Sequence, residues 1–137
     1  MTRILLIEDD SALRWFLYHN LIKEGYVVYD AVHGADGLLQ LRKNPVDLVI
    51  TDMLMPEMDG VETIQQVRQS FPDVKIIAIS GGGLASPDHY LKIARNLGAG
   101  KTLKKPFSFP ELLRAIHELR PPPPPPASRP PVSPPPG

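Results

Sequence analysis

The chain has 137 residues, no cysteine, and 15 basic against 15 acidic side chains, for a formal net charge of zero. That length suits one ordinary domain with a real core. The balanced charge speaks against a nucleic-acid surface, and the missing thiols exclude disulfide and thiolate chemistry.

The first predicted element is a strand, "RILLIE" (3–8), a continuous apolar run. Its four consecutive apolar residues are too few for a signal-peptide core or a membrane span, so a cytoplasmic protein without a membrane partner is expected. "SALRWFLYHNLIKEG" carries Leu13, Phe16, Leu17, Asn20 and Leu21 at helical spacing, with Gly25 placed to end the helix. Trp15 and the apolar residues of this helix are assigned to the core. "YVVYDA" (26–31) is a second strand, and "GADGLLQLRK" (34–43) a short helix stopped by Asn44-Pro45. "DLVIT" (47–51) is a third strand, and a helix from about Asp59 to Ser70 follows, with Val61, Ile64 and Val67 on one side. "VKIIAIS" (74–80) is the fourth strand. Ser86-Pro87-Asp88 has the chemistry of a helix start, for a helix through about Leu97. "GKTLK" (100–104) is a weak fifth strand, and Ser108 with Glu111 forms a capping box for "FPELLRAIHEL".

Composition changes at Pro121. "PPPPPPASRPPVSPPPG" cannot bury a core and favours extended polyproline II. The expected organisation is one domain over 1–120 and a flexible or extended proline-rich tail over 121–137, read as an inert linker ahead of the alternative, a docking segment through the PxxP spacing of Pro131 and Pro134. Five βα units with continuous apolar strands predict an α/β fold, a doubly wound parallel sheet covered on both faces. Two open-sheet strand orders are compatible with five such units.

In such sheets ligands sit outside the carboxyl ends of the strands, where the strand order reverses. Strand one ends in Glu8-Asp9-Asp10, strand three in Asp52, and strand four in Ser80 before Gly81-Gly82-Gly83. Lys104-Lys105-Pro106 follows strand five. If strands one and three are neighbours, their carboxylates converge. Two like charges about 4 Å apart repel by roughly 4 kcal/mol at an effective dielectric near 20, so a proton or a cation must resolve them. With oxygen ligands alone, a hard ion fits, Mg²⁺ before others. A carboxylate nucleophile, a metal, a lysine and a hydroxyl together make a site for phosphoryl transfer. The other reading of each residue is ordinary: acids after strands cap helices, as Asp10 or Ser11 does here, and Ser80 alone is a turn residue. Their placement at successive strand ends favours the joint site.

"ILLIEDD", "DLVITDMLMPEMDG", "IIAIS" and "KKPF" resemble the four signatures of the response-regulator receiver domain of two-component signalling. The resemblance spans 1–120. It implies a flavodoxin-like sheet of order 2-1-3-4-5 and makes Asp52 the phospho-acceptor. It gives Glu8 and Asp9, with Asp52 and the Leu54 carbonyl, to Mg²⁺, and Ser80 and Lys105 to the phosphoryl group. The Lys-Pro-Phe register selects Lys105 over Lys104, and the Lys105–Pro106 bond is often cis in this family. The implied role is a stand-alone signalling switch or relay rather than an enzyme. It would be loaded by a sensor histidine kinase or a histidine phosphotransfer protein. Its protein target would be met through the fourth helix, fifth strand and fifth helix.

Thr102 stands where the family usually has an aromatic residue that switches with the hydroxyl, so the aromatic coupling is not expected here. The triple glycine, with its backbone freedom, is the expected switch segment instead, alongside Leu103 and Tyr90. Gly81 is expected to leave the site open to a partner. Leu54 and Gly82, at positions that tune phosphoryl lifetime, cannot position a water, which implies slow self-hydrolysis. Two rivals remain. An aspartate-nucleophile phosphatase would want a second aspartate where Leu54 stands, and a pseudo-receiver would bind partners without phosphorylation. "HELRPP" (117–122) resembles a kinase histidine box, but proline ends its helix too soon, so His117 reads as a cation near a helix C-terminus. His19, His33 and His89 show no ligand spacing.

Overall fold

A computed structural model describes residues 1–53, 60–81 and 87–121, the stretch 87–91 as backbone. Five strands alternate with five helices: β1 (Arg3–Ile7), α1 (Ser11–Lys23), β2 (Val27–Ala31), α2 (Gly34–Lys43), β3 (Leu48–Asp52), α3 (Gly60–Ser70), β4 (Lys75–Ser80), α4 (Pro87–Asn96), β5 (Lys101–Lys104) and α5 (Phe109–Leu119). All expected elements are present, with ends displaced by a residue or two. The displacement that matters is in β3, which includes Asp52 as its last residue rather than ending at Thr51. Asp52 is held in register opposite Ile79 of β4, so its backbone is part of the ladder.

The strands pair in parallel in the order β2-β1-β3-β4-β5. The order reverses between β1 and β3, whose registers join Ile4 to Leu48 and Ile7 to Thr51. Side chains alternate between the faces of a strand, so a sheet covered twice needs apolar residues at every position. Leu5, Ile7, Val49 and Ile76 pack on one face with Leu38 and Leu41 of α2 and Ile64 and Val67 of α3. Ile4, Leu6, Leu48, Ile50, Ile77 and Ile79 pack on the other with Leu17 and Leu21 of α1 and Leu112 and Ile116 of α5. Each such side chain, fully buried, contributes about 1.5–3 kcal/mol.

Local signals end the helices where expected. Asp10 is the N-cap of α1, its carboxylate accepting from the Leu13 amide at 3.1 Å. Gly25 follows the α1 C-cap with φ +96°, a conformation open to glycine without a Cβ penalty. The Ser108–Glu111 capping box of α5 is present, and Lys105–Pro106 is cis. The helix start assigned to Ser86 lies outside the described residues.

Trp15 corrects the sequence reading: it is 65% exposed, and Phe16 and Ile22 of the same helix are also exposed. The physical reason is that α1 is apolar nearly all round, while only the face bearing Leu17 and Leu21 meets the sheet. Trp15 instead lies against His19, ring centroids 4.3 Å apart.

Candidate functional site

The carboxyl ends of β1, β3 and β4 and the segment after β5 bring the sequence-predicted residues to one edge of the sheet. Carboxylate oxygens of Glu8, Asp9 and Asp52 lie within 4.8 Å of one another. Glu8 and Asp52 are buried, 1% and 4% exposed, and Asp9 lies toward solvent. Lys105 reaches in from the β5–α5 connection: its Nζ lies 2.8 Å from Asp52 Oδ2 and 3.0 Å from Glu8 Oε1. The lysine is aimed by its backbone, whose N–H donates to the Ser80 carbonyl at 2.8 Å and so extends the β4–β5 pairing by one step. Lys104, the competitor in the sequence, is opposite Ser80 in the ladder and exposed.

Glu8 is held through both its backbone and its side chain. Its N–H donates to the Ala31 carbonyl at 3.0 Å, its carbonyl accepts from Arg14 Nη1 at 2.7 Å, and its Oε2 accepts from the Asp10 amide at 3.1 Å. Burial, and next the neighbouring Asp52 charge, push its carboxyl up to about 8, against the opposing pull of Lys105. Burial works to lower the Lys105 ammonium, but its bonds to Asp52 and Glu8 outweigh that and the net shift is upward.

Ser80 is fully buried at the end of β4, and its hydroxyl has no hydrogen-bond partner among the described residues. A buried polar group left so costs about 1–3 kcal/mol. It sits one residue beyond the Asp52–Ile79 pair, on the strand next to the acids. Gly81 follows it beneath the Lys105 stem: a Cβ there would lie 2.1 Å from Lys105 Cβ. The glycine is required by close approach. A cleft of ≈ 340 Å³ beside the lysine is lined by Asp10, Leu13, Gly81, Lys105, Pro106 and Phe107.

Of the predicted site residues, Glu8, Asp9, Asp52, Ser80 and Lys105 meet at this edge. Thr102 is mid-strand in β5 opposite Ala78, half-buried. Leu54, Gly82 and Gly83 lie outside the described residues. Two residues have roles that the sequence did not show. His33 is the N-cap of α2, its Nδ1 accepting from the Asp36 amide at 3.2 Å. Arg14 holds the Glu8 carbonyl, and a signal for it existed: a cation so near a helix N-terminus opposes the helix dipole and needs another reason to be there.

Comparison with known proteins agrees with this fold. The chain is 37% identical over 119 residues to the response regulator receiver protein CpdR of Brucella abortus, covering 87% of this chain and 97% of that protein. It is 36% identical to a stretch of the sensor kinase CckA of the same organism, of which it spans 12%. Among solved structures, a response regulator receiver domain from Clostridium thermocellum superposes with a TM-score of 0.80 at 28% identity, over 87% of this chain and 94% of that one. The response regulator TrrA of Thermotoga maritima, in complex with Mg²⁺ and BeF, does so with 0.76 at 30% identity, over 87% and 99%. No helix among the described residues is long and apolar enough to cross a membrane. The model of the response regulator receiver domain matches residues 4–117, and the chain belongs to that family of phosphorylation-dependent signalling domains.

Proposed function

We propose that this receiver takes a phosphoryl group from a phosphohistidine onto Asp52, with Mg²⁺ bound by Glu8, Asp9 and Asp52, and that the loaded state changes which proteins it contacts. The observation that carries this is the pairing of Lys105 with Asp52 and Glu8 beside a buried Ser80 hydroxyl without a described partner. Three convergent carboxylates, with no His or Cys joining them among the described residues, suit a hard divalent ion. When bound, that ion neutralises the carboxylates and the charge of the transferring group.

The chain's own residues do the rest. A carboxylate oxygen of Asp52 attacks phosphorus, the P–N bond breaks, and the imidazole leaves with the bonding pair and takes its proton from solvent. Lys105 is already within hydrogen-bond reach of the attacking carboxylate and balances the added negative charge. The Ser80 hydroxyl, without a partner among the described residues, gains an acceptor. The cleft beside Lys105, lined by Leu13, Pro106 and Phe107, admits the donor. The donor is a sensor histidine kinase or a histidine phosphotransfer protein; the similarity to part of a sensor kinase supports a two-component setting. The α4, β5 and α5 surface would carry the output. Residues 1–120 form the working unit, and the proline-rich tail takes no part in loading.

The test is uptake of beryllofluoride, a phosphoryl mimic, followed by its fluorine resonances. Uptake near one per chain is expected only when Mg²⁺ is present, and equally for a chain ending at residue 120. No uptake at any Mg²⁺ concentration, or steady turnover of a generic phosphate ester, would refute the receiver reading.

Metal binding should also release a proton. A carboxyl pushed up to about 8 holds its proton in the folded, metal-free chain at pH 6.5, whereas its ordinary value of 4.5 applies unfolded. The stability from holding that proton is complete below about pH 4.5 and is lost as pH rises through about 8. Binding a cation requires the carboxylate. Calorimetric Mg²⁺ titrations in buffers of different ionisation enthalpy should show about one proton released at pH 6.5 and almost none at pH 9. Affinity should rise with pH across that window. No proton released at pH 6.5 would show that Glu8 is already ionised.

A further inference from the structure

We infer that Arg14 is a positioning residue for the acidic site, acting on Glu8 through its backbone; this rests on the reading of Glu8 as a metal ligand. Arg14 is on the first turns of α1, and its guanidinium divides between two partners. Nη1 donates to the Glu8 carbonyl at 2.7 Å, and Nε lies 3.4 Å from Asp30 Oδ2 at the end of β2. Asp30 is in turn tied to α2, because its own carbonyl accepts from Gln40 Nε2 at 2.6 Å. One side chain therefore joins α1 and the two strand ends that flank the β1–α1 loop.

The consequence for Glu8 follows from what else restrains it. Its amide is pinned to β2 through Ala31, and its carboxylate takes the Asp10 amide and Lys105. The remaining freedom is rotation of the peptide unit between Glu8 and Asp9, which carries two of the three converging carboxylates at its ends. The Arg14 bond falls on the carbonyl of that unit. With it, Glu8 and Asp9 present their oxygens at a fixed separation; without it, the unit turns and the set spreads. Arginine alone serves here. The planar fork offers separate nitrogens to a carbonyl and a carboxylate, whereas lysine has one nitrogen to share. Asp30 neutralises the guanidinium, so that a cation can stand this near an intended cation site with little net repulsion.

Groups that orient a metal ligand typically contribute 10–100-fold to affinity. Magnesium binding by calorimetry is the readout, with melting temperature measured on the same samples. Arg14→Met is expected to weaken Mg²⁺ binding at least about tenfold, Arg14→Lys to recover part of that, and Asp30→Asn to weaken binding less than Arg14→Met. The effect must appear well below the melting temperature, where every variant is folded. Wild-type affinity in folded Arg14→Met, or a weakening that merely follows the unfolded fraction, overturns the inference. If Arg14→Met does not fold, Arg14→Lys decides, since it cannot hold both partners: unchanged affinity there overturns it as well. A wild-type chain that binds no Mg²⁺ removes the reading beneath the inference, a result distinct from binding that ignores Arg14.

Discussion

Asp52→Asn is expected to abolish phosphoryl uptake while leaving the fold intact. The amide matches the carboxylate in shape but is a poor nucleophile, and phosphoryl transfer onto it has no stable product. Position 52 can tolerate the change because its backbone is bound in the sheet, opposite Ile79 of β4, independently of its side chain. Lys105 keeps an acceptor in the amide oxygen and retains Glu8 at 3.0 Å. Removing the Asp52 charge also removes the second cause, after burial, of the upward push on Glu8. Glu8 then ionises at lower pH and takes over Lys105. The stability change is therefore expected to be small, because Lys105 keeps Glu8 as its partner and no buried charge is left uncompensated. Mass spectrometry after incubation with a small acyl phosphate and Mg²⁺ should show the added group on wild type and none on Asp52→Asn. Equal loading of the variant would move the acceptor to another residue.

The second large effect is expected at Gly81. A Cβ at this position would stand 2.1 Å from Lys105 Cβ and 3.0 Å from its Cα. These atoms are the root of the lysine, not its flexible end, so they cannot swing aside. Gly81→Ala must push the two strand ends apart, at the expense of the bond from the Lys105 amide to the Ser80 carbonyl. Overpacking of this kind costs about 1–3 kcal/mol. The ammonium would also move off Asp52, and displacements on the order of 1 Å in a reacting geometry can cost about 10²-fold in rate. Gly81→Val should be worse on both counts. The donor separates this account from the simpler one, in which glycine only keeps the doorway open. An open doorway matters to a bulky protein donor and little to a small acyl phosphate. Displacement of Lys105 slows both. Gly81→Ala with wild-type stability and an unimpaired rate from the small donor would leave only the doorway.

Much of this site was legible in the chain because its residues lie at the ends of strands, and strand ends were marked by local chemistry. The apolar run "ILLI" ends at an acid and "LVI" runs through Thr51 to one, and in a sheet with apolar cover on both faces charged groups belong at the edge. The capping box at Ser108 and the glycine after α1 were similarly readable, since caps depend on neighbours three or four residues away. Strand order came through resemblance, not periodicity, because alternation of strands and helices is the same for several orders.

Other features were settled only by the packing of distant segments. Trp15 has the helical spacing of a core residue, but which sides of an all-round apolar helix are covered depends on where the sheet ends. Gly81 reads as freedom in a run of three glycines, and only the packing of β4 against the segment after β5 shows that it is a contact. Arg14 is six residues from Glu8 and sixteen from Asp30 in sequence, and its link to both needs α1 to cross back over β1 and β2. The sequence by itself determined the chemistry available at the sheet edge, because residue type and the position of each strand end are local properties. The tertiary structure decided which of those groups touch, because contact between the ends of four chain segments depends on strand order and register, which no single segment encodes.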